Sequence, residues 1–117
     1  MLSFTVRMRF DESNKEKVAD EILRPLSVAS RQEPGCVNYI AHFVEGEPAT
    51  VVIYEQYLDQ AALEHHRNTP HFHQYAIGGL YQLMLDRQLE NLTAVLERYS
   101  AGFAGEVGCF RSLVSSR

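Results

Sequence analysis

The sequence predicts an α+β fold in the order β-α-β-β-α-β, a ferredoxin-like sheet, and three observations carry that prediction. Residues Leu2 to Phe10 alternate apolar and polar side chains with the period of a strand. Two more strand-like runs, Cys36 to Val44 and Val51 to Tyr57, flank the short polar turn Glu45-Gly46-Glu47-Pro48, the signature of an antiparallel hairpin. Apolar residues at helical spacing precede the hairpin, and helix start signals follow it.

In the first strand Phe4, Val6, Met8 and Phe10 share one face, with Ser3, Thr5, Arg7 and Arg9 on the other. Ser13-Asn14-Lys15-Glu16 matches a capping box, in which hydroxyl and carboxylate satisfy each other's free amides at a helix start. Val18, Ile22, Leu26 and Ala29 then give the helix its sheet-facing stripe, and Pro25 is expected to kink or break it, because proline cannot donate to the carbonyl of Glu21. Pro34-Gly35 marks a turn. The second strand sets Val37, Tyr39, Ala41 and Phe43 against Asn38, Ile40 and His42. The third places Ile53, Glu55 and Tyr57 on one side and Val52, Tyr54 and Gln56 on the other.

Asp59 suits the N-cap of a short helix with Leu63 and His66, and Thr69-Pro70 restarts a helix with Thr as cap and Pro at its first position. Gly78-Gly79 signals either a helix end or a close backbone approach. Residues 89–99 are ambiguous. Leu89, Leu92, Val95, Leu96 and Tyr99 suit a helix, whereas Thr93 to Leu96 suit a strand, and the strand is preferred because the sheet needs a fourth member.

The 117 residues fit one domain, expected over 1–99, followed by a Gly- and Ser-rich tail over 100–117. A net charge of -4 and the lack of a Lys/Arg cluster interleaved with aromatics argue against a nucleic-acid partner. The first ten residues read as a strand, neither a signal segment nor a membrane span, so a cytoplasmic home is the default expectation. Cys36 and Cys109 lack metal-ligand spacing and are expected to be free thiols. No dinucleotide, phosphate-binding or serine-nucleophile motif is present.

Four pieces of the chain, Glu33-Pro34-Gly35-Cys36, Tyr54-Glu55-Gln56-Tyr57, Ala62-Leu63-Glu64-His65-His66 and Thr69-Pro70-His71-Phe72, closely resemble the antibiotic biosynthesis monooxygenase-like (ABM) family in order and spacing. The resemblance spans residues 1 to about 98. It implies a dimeric α+β barrel, hence a homodimer, with one pocket per subunit between sheet and helices. The family includes cofactor-free oxygenases of anthrones and quinols, haem-degrading enzymes and a sugar-phosphate isomerase, so fold analogy does not select a reaction. Where anthrone oxygenases carry Asn and Trp on the third strand this chain has Ile53 and Tyr57, and it contains no Trp at all. Haem degradation through a pocket Trp is therefore disfavoured.

Most of the histidines cluster with the best acid-base candidates. Glu55, on the side that the family fold turns toward the helices, is expected to be desolvated and to act as general base. His66 shares a helix face with Leu63 and is placed to shuttle a proton, and His71 stands in the first turn of the Pro70 helix. Tyr39, His42, Ile53, Tyr57, Leu63 and Phe72 are the expected substrate contacts, with Tyr57 and His71 positioning the oxygen that bears charge. Each has a bland alternative: Glu55 as a structural ion-pair strut, His66 as a packing histidine and Phe72 as a core anchor. The run His65-His66, His71 and His73 lacks a zinc-helix register and is split by Pro70, so no metal is expected. The preferred reading is a cofactor-independent monooxygenase of a small aromatic or quinol-like molecule. The alternatives are an isomerase of a small carbonyl metabolite and a non-catalytic ligand-binding dimer. A pocket filled by side chains would count against all three.

Overall fold

The computed structural model describes residues 1–97, and they form the expected α+β ferredoxin-like domain. The strands are β1 (Leu2–Arg9), β2 (Cys36–Phe43), β3 (Thr50–Tyr57) and β4 (Asp86–Leu92). They build one antiparallel sheet in the order β2-β3-β1-β4. The helical stretches are α1 (residues 15–31), α2 (Gln60–Arg67) and α3 (residues 70–83). No helix among the described residues is long and apolar enough to cross a membrane.

Register decides which face is buried. Phe4 pairs with Glu55, Val6 with Ile53 and Met8 with Val51, while Tyr39 of β2 lies opposite Glu55. Partners across a ladder point to the same side, so these residues form one layer beneath the helices. Val18, Ile22, Leu23 and Leu26 of α1 close over them, with Leu63 of α2 and Ala76 and Leu80 of α3, each buried. Fully burying a side chain of the Val or Leu class contributes about 1.5–3 kcal/mol, so this layer holds the sheet and helices in fixed relation. No helix among the described residues packs on the opposite sheet face, which holds Thr5, Arg7, Ile40, His42 and Val52.

One local expectation is corrected and two open alternatives are narrowed. The capping box does not form, because Asp11 caps the turn Glu12–Asn14 by accepting the Ser13 N–H at 3.0 Å, and the Ser13 hydroxyl also donates to Asp11. Pro25 does not break α1. A widened π stretch, Val18–Leu23, precedes it, with the Arg24 N–H donating to the Ala19 carbonyl, and Pro25 falls in the first turn of the segment Arg24–Arg31. Gly78-Gly79 is not a helix end, since α3 runs on to Leu83. A Cβ on Gly79 would lie 3.2 Å from Ile22 Cδ1, so this glycine marks a close approach of α3 to α1.

The fourth strand exists, but at Asp86–Leu92 rather than around Thr93–Leu96, which are exposed and outside it. The Leu85 N–H donates to the Arg9 carbonyl at 2.7 Å and Arg9 pairs with Asp86 at 2.8 Å, which fixes the strand's start directly after α3. All seven of its residues are exposed, so it carries no apolar alternation to read. The expected 99/100 boundary, the tail and Cys109 lie outside the described residues.

Candidate functional site

Glu55 sits at mid-sheet on the helix-covered face, 7% exposed. Tyr57, two residues on and therefore on the same face, donates its hydroxyl to Glu55 Oε1 at 2.6 Å. Burial pushes the Glu55 carboxyl up to about 7, against the opposing pull of the Tyr57 hydrogen bond and of Arg67 and Arg87. Burial also raises the Tyr57 phenol, with Glu55 adding to the effect, so Tyr57 remains an O–H donor.

His66 reaches the same layer from α2. Asp59 caps that helix by accepting the Ala62 N–H at 2.9 Å, and the helical period then turns Leu63 and His66 together onto the sheet. The His66 ring is 2% exposed and packs between Tyr57, Phe72 and Tyr39, with ring centroids at 5.1, 5.2 and 5.8 Å. Its Nε2 lies 3.8 Å from Glu55 Oε1 and its Nδ1 lies 2.8 Å from Glu33 Oε2. Burial holds His66 below the usual imidazole range, outweighing the attraction of Glu33.

Glu33 is delivered by the turn after α1. The Cys36 N–H donates to the Glu33 carbonyl at 3.1 Å, and the Leu58 N–H donates to the Gly35 carbonyl at 2.9 Å. A Cβ on Gly35 would fall 2.3 Å from the Ala62 Cβ, so glycine here lets the turn press against α2. The Glu33 carboxylate is thereby brought to His66. Thr69 caps α3 by accepting the Phe72 N–H at 3.2 Å while donating to the His66 carbonyl at 2.7 Å, and the next turn brings His71 Nε2 to 2.5 Å from the same Glu33 oxygen. An ionised carboxylate only accepts, so His66 Nδ1 and His71 Nε2 carry the hydrogens and His66 Nε2 presents a lone pair toward Glu55. Glu33 Oε1 is buried with no hydrogen-bond partner among the described residues.

A cavity of about 40 Å³ opens beside Glu55 and His66, lined also by Tyr39, Ile53, Leu63 and Phe72, with Arg67, Tyr81 and Arg87 among its other walls. That volume suits water rather than an aromatic ring. Roomier grooves of about 430 and 580 Å³ lie elsewhere, lined by neither residue.

The expected site residues thus fall into three groups. Glu55, His66, Tyr39, Ile53, Leu63 and Phe72 line the cavity. Tyr57 stands one hydrogen bond behind it, on Glu55, and His71 stands two behind it, through Glu33 and His66. His42 does not join them: it is exposed, on the opposite face from Tyr39, with Nδ1 3.1 Å from the carbonyl of its strand partner Val52. Sequence reasoning gave no role to Glu33, Arg67 or Arg87. The first stands inside the Glu33-Pro34-Gly35-Cys36 motif, which was the available signal. It also separated the histidines across Pro70, whereas Glu33, His66 and His71 bring ligand-type atoms within 4.8 Å of one another, a group able to hold a cation.

Comparison with known proteins agrees with this architecture. The crystal structure of an antibiotic biosynthesis monooxygenase superposes with a TM-score of 0.74 at 26% identity, covering 82% of this chain and all (100%) of that one. PA3566 from Pseudomonas aeruginosa gives 0.73 at 29% identity over 81% of this chain and 94% of its own. A conserved protein of unknown function from Bacteroides thetaiotaomicron gives 0.70 at 28% identity, covering 78% and 94%. An uncharacterized protein from Synechocystis, sll1783, is 39% identical over 46 residues, which is 39% of this chain and 31% of that protein; the match thus spans under a third of its length. The family description "Antibiotic biosynthesis monooxygenase" matches residues 1–76, the stretch that holds Glu33, Glu55, His66 and His71, and the chain belongs to that family.

Proposed function

We propose that the chain is a cofactor-independent monooxygenase of a small aromatic, quinol-like molecule. One observation carries the reading: a buried carboxyl poised near neutrality, Glu55, faces the lone-pair nitrogen of a buried neutral imidazole, His66, across a cavity edged by two arginines. Two titratable groups held in opposite protonation habits by one environment are the usual makings of proton transfer. Glu55 or His66 takes the phenolic proton of the substrate, and Arg67 and Arg87 hold the resulting anion. The electron-rich ring carbon then bonds to O2. Cleavage of the O–O bond leaves one oxygen on that carbon as a carbonyl and releases the other as water, with hydrogens drawn from the substrate. The charge-holding role expected for Tyr57 and His71 passes to the arginines, because both residues already serve carboxylates.

At about 40 Å³ the cavity is largely filled by side chains, which counts against ligand binding in this conformation, so the reading requires its wall, with the half-buried Phe72 and Tyr81, to open when a ring binds. Function is further expected in a homodimer formed across the uncovered sheet face, in the cytoplasm; light scattering that found a monomer at micromolar concentration would remove the dimer. The test of activity is oxygen uptake by chelator-treated protein against hydroquinones and anthrones, with autoxidation subtracted. Uptake above background that falls in Glu55→Gln or His66→Ala supports the reading. Proton exchange at a carbon beside a carbonyl without oxygen uptake would instead make the same pair an isomerase.

A further inference from the structure

We propose that Glu33, His66 and His71 form a binding site for one first-row divalent cation of the zinc or ferrous type. The three side chains, from one turn and two helices, bring ligand-type atoms within 4.8 Å of one another, with Glu33 Oε2 at 2.8 Å from His66 Nδ1 and 2.5 Å from His71 Nε2. Two imidazoles and a carboxylate are a donor set that suits these cations rather than magnesium or calcium, which prefer oxygen alone.

A second observation points to a ligand. Glu33 Oε1 is buried without a hydrogen-bond partner among the described residues, in a side chain 5% exposed, while its sister oxygen takes both imidazole N–H groups. An unpaired buried acceptor is destabilising, the more so when charged, unless a positive group completes it. A cation among the three side chains would do so. A carboxyl stands where it could support one of the imidazoles: His66 Nε2 faces Glu55 Oε1 at 3.8 Å, a separation that must shorten to form a hydrogen bond, and Glu55 is held by Tyr57 at 2.6 Å. His71, with 18% of its side chain exposed, gives a path from solvent.

Binding uses imidazole lone pairs, so each ring moves its hydrogen to its other nitrogen, His66 to Nε2 and His71 to Nδ1, with no net proton change. Bonds of about 2.0–2.2 Å to a tetrahedral cation set ligand atoms about 3.4 Å apart, so the present N···O separations of 2.8 and 2.5 Å must widen on binding. With Nε2 converted to an N–H donor, His66 no longer accepts a proton. Loading therefore removes His66 as a base and leaves Glu55 alone in that role in the turnover proposed above, although the site does not rest on that turnover.

The test is calorimetric titration of the chelator-treated full chain with Zn2+, and titration with Co2+ followed by its visible absorption. One Zn2+ per chain is expected, weakened at least about tenfold in Glu33→Gln and in His71→Ala and unchanged in His73→Ala, whose side chain is exposed. His71 is half-buried, so its alanine variant keeps the test open should Glu33→Gln fail to fold. Absence of saturable uptake, or uptake that His71→Ala leaves unchanged, would overturn the site. Neither titration uses substrate, so failure of the oxygenase reading and failure of the cation site are seen separately.

Discussion

Tyr57→Phe removes one hydroxyl and leaves the packing. The ring is fully buried, with centroids 6.1 Å from Phe4 and 5.1 Å from His66, and phenylalanine fills the same volume. What is lost is the 2.6 Å hydrogen bond to Glu55. A hydrogen bond to a charged acceptor is worth about 1.5–3 kcal/mol and one to a neutral acceptor about 0.5–1.5, so the anion loses roughly 1 kcal/mol more than the acid. At 1.36 kcal/mol per pK unit that difference raises the Glu55 pKa by about one unit. In the parent protein Glu55 keeps its proton up to about 7, while the unfolded chain releases it near 4.5. Between those values the native state binds more protons, so the stability this group contributes is fully present below the unfolded pKa and is lost as pH rises through the folded one. In Tyr57→Phe the loss extends about one pH unit higher. The depressed His66 works in the opposite sense, losing stability as pH falls, and largely cancels between parent and variant. Carbon NMR of labelled glutamate follows Glu55 directly, and urea unfolding on either side of neutrality follows its linkage. A Glu55 that titrates near the ordinary carboxylate value, or at the same pH with and without the Tyr57 hydroxyl, would refute the reasoning.

Other perturbations probe the supports of the site. Glu33→Gln leaves the two imidazoles without a shared anion, and a loss of about 2–3 kcal/mol is expected in urea unfolding, together with loss of the fixed His66 tautomer in nitrogen NMR. Gly35→Ala sets a methyl 2.3 Å from the Ala62 Cβ and should destabilise by about 1–3 kcal/mol in the same assay, with the turn displaced from α2. His42→Ala alters an exposed side chain on the sheet face away from the cavity, so oxygen uptake and ligand affinity should match the parent protein when light scattering finds the assembly unchanged.

Much of the fold is legible in the sequence where burial imposes a period. β1 and β3 each carry an apolar face against the helices, and their alternation alone places Glu55 with Ile53 and Tyr57. The same alternation separates His42 from Tyr39, so counting His42 as a substrate contact ran against the strand's own pattern. β4 pairs through its backbone while exposing every side chain, and nothing in its composition marks it. Glu33 carries no local signal of its partners for a different reason. They stand 33 and 38 residues away, and the fit of Gly35 against Ala62 helps to bring its turn to α2.

The separation of chemistry from binding in Glu55→Gln tests the central claim most directly. Glutamine keeps the shape and the hydrogen bond from Tyr57 but cannot take a proton at neutral pH. The expected result, with the chelator-treated protein and the best hydroquinone found, is a turnover number lower by about 10²–10⁴ with calorimetric affinity within a few-fold of the parent. Undiminished turnover in the folded variant, or a loss of affinity that accounts for all of the lost activity, would contradict Glu55 as the base.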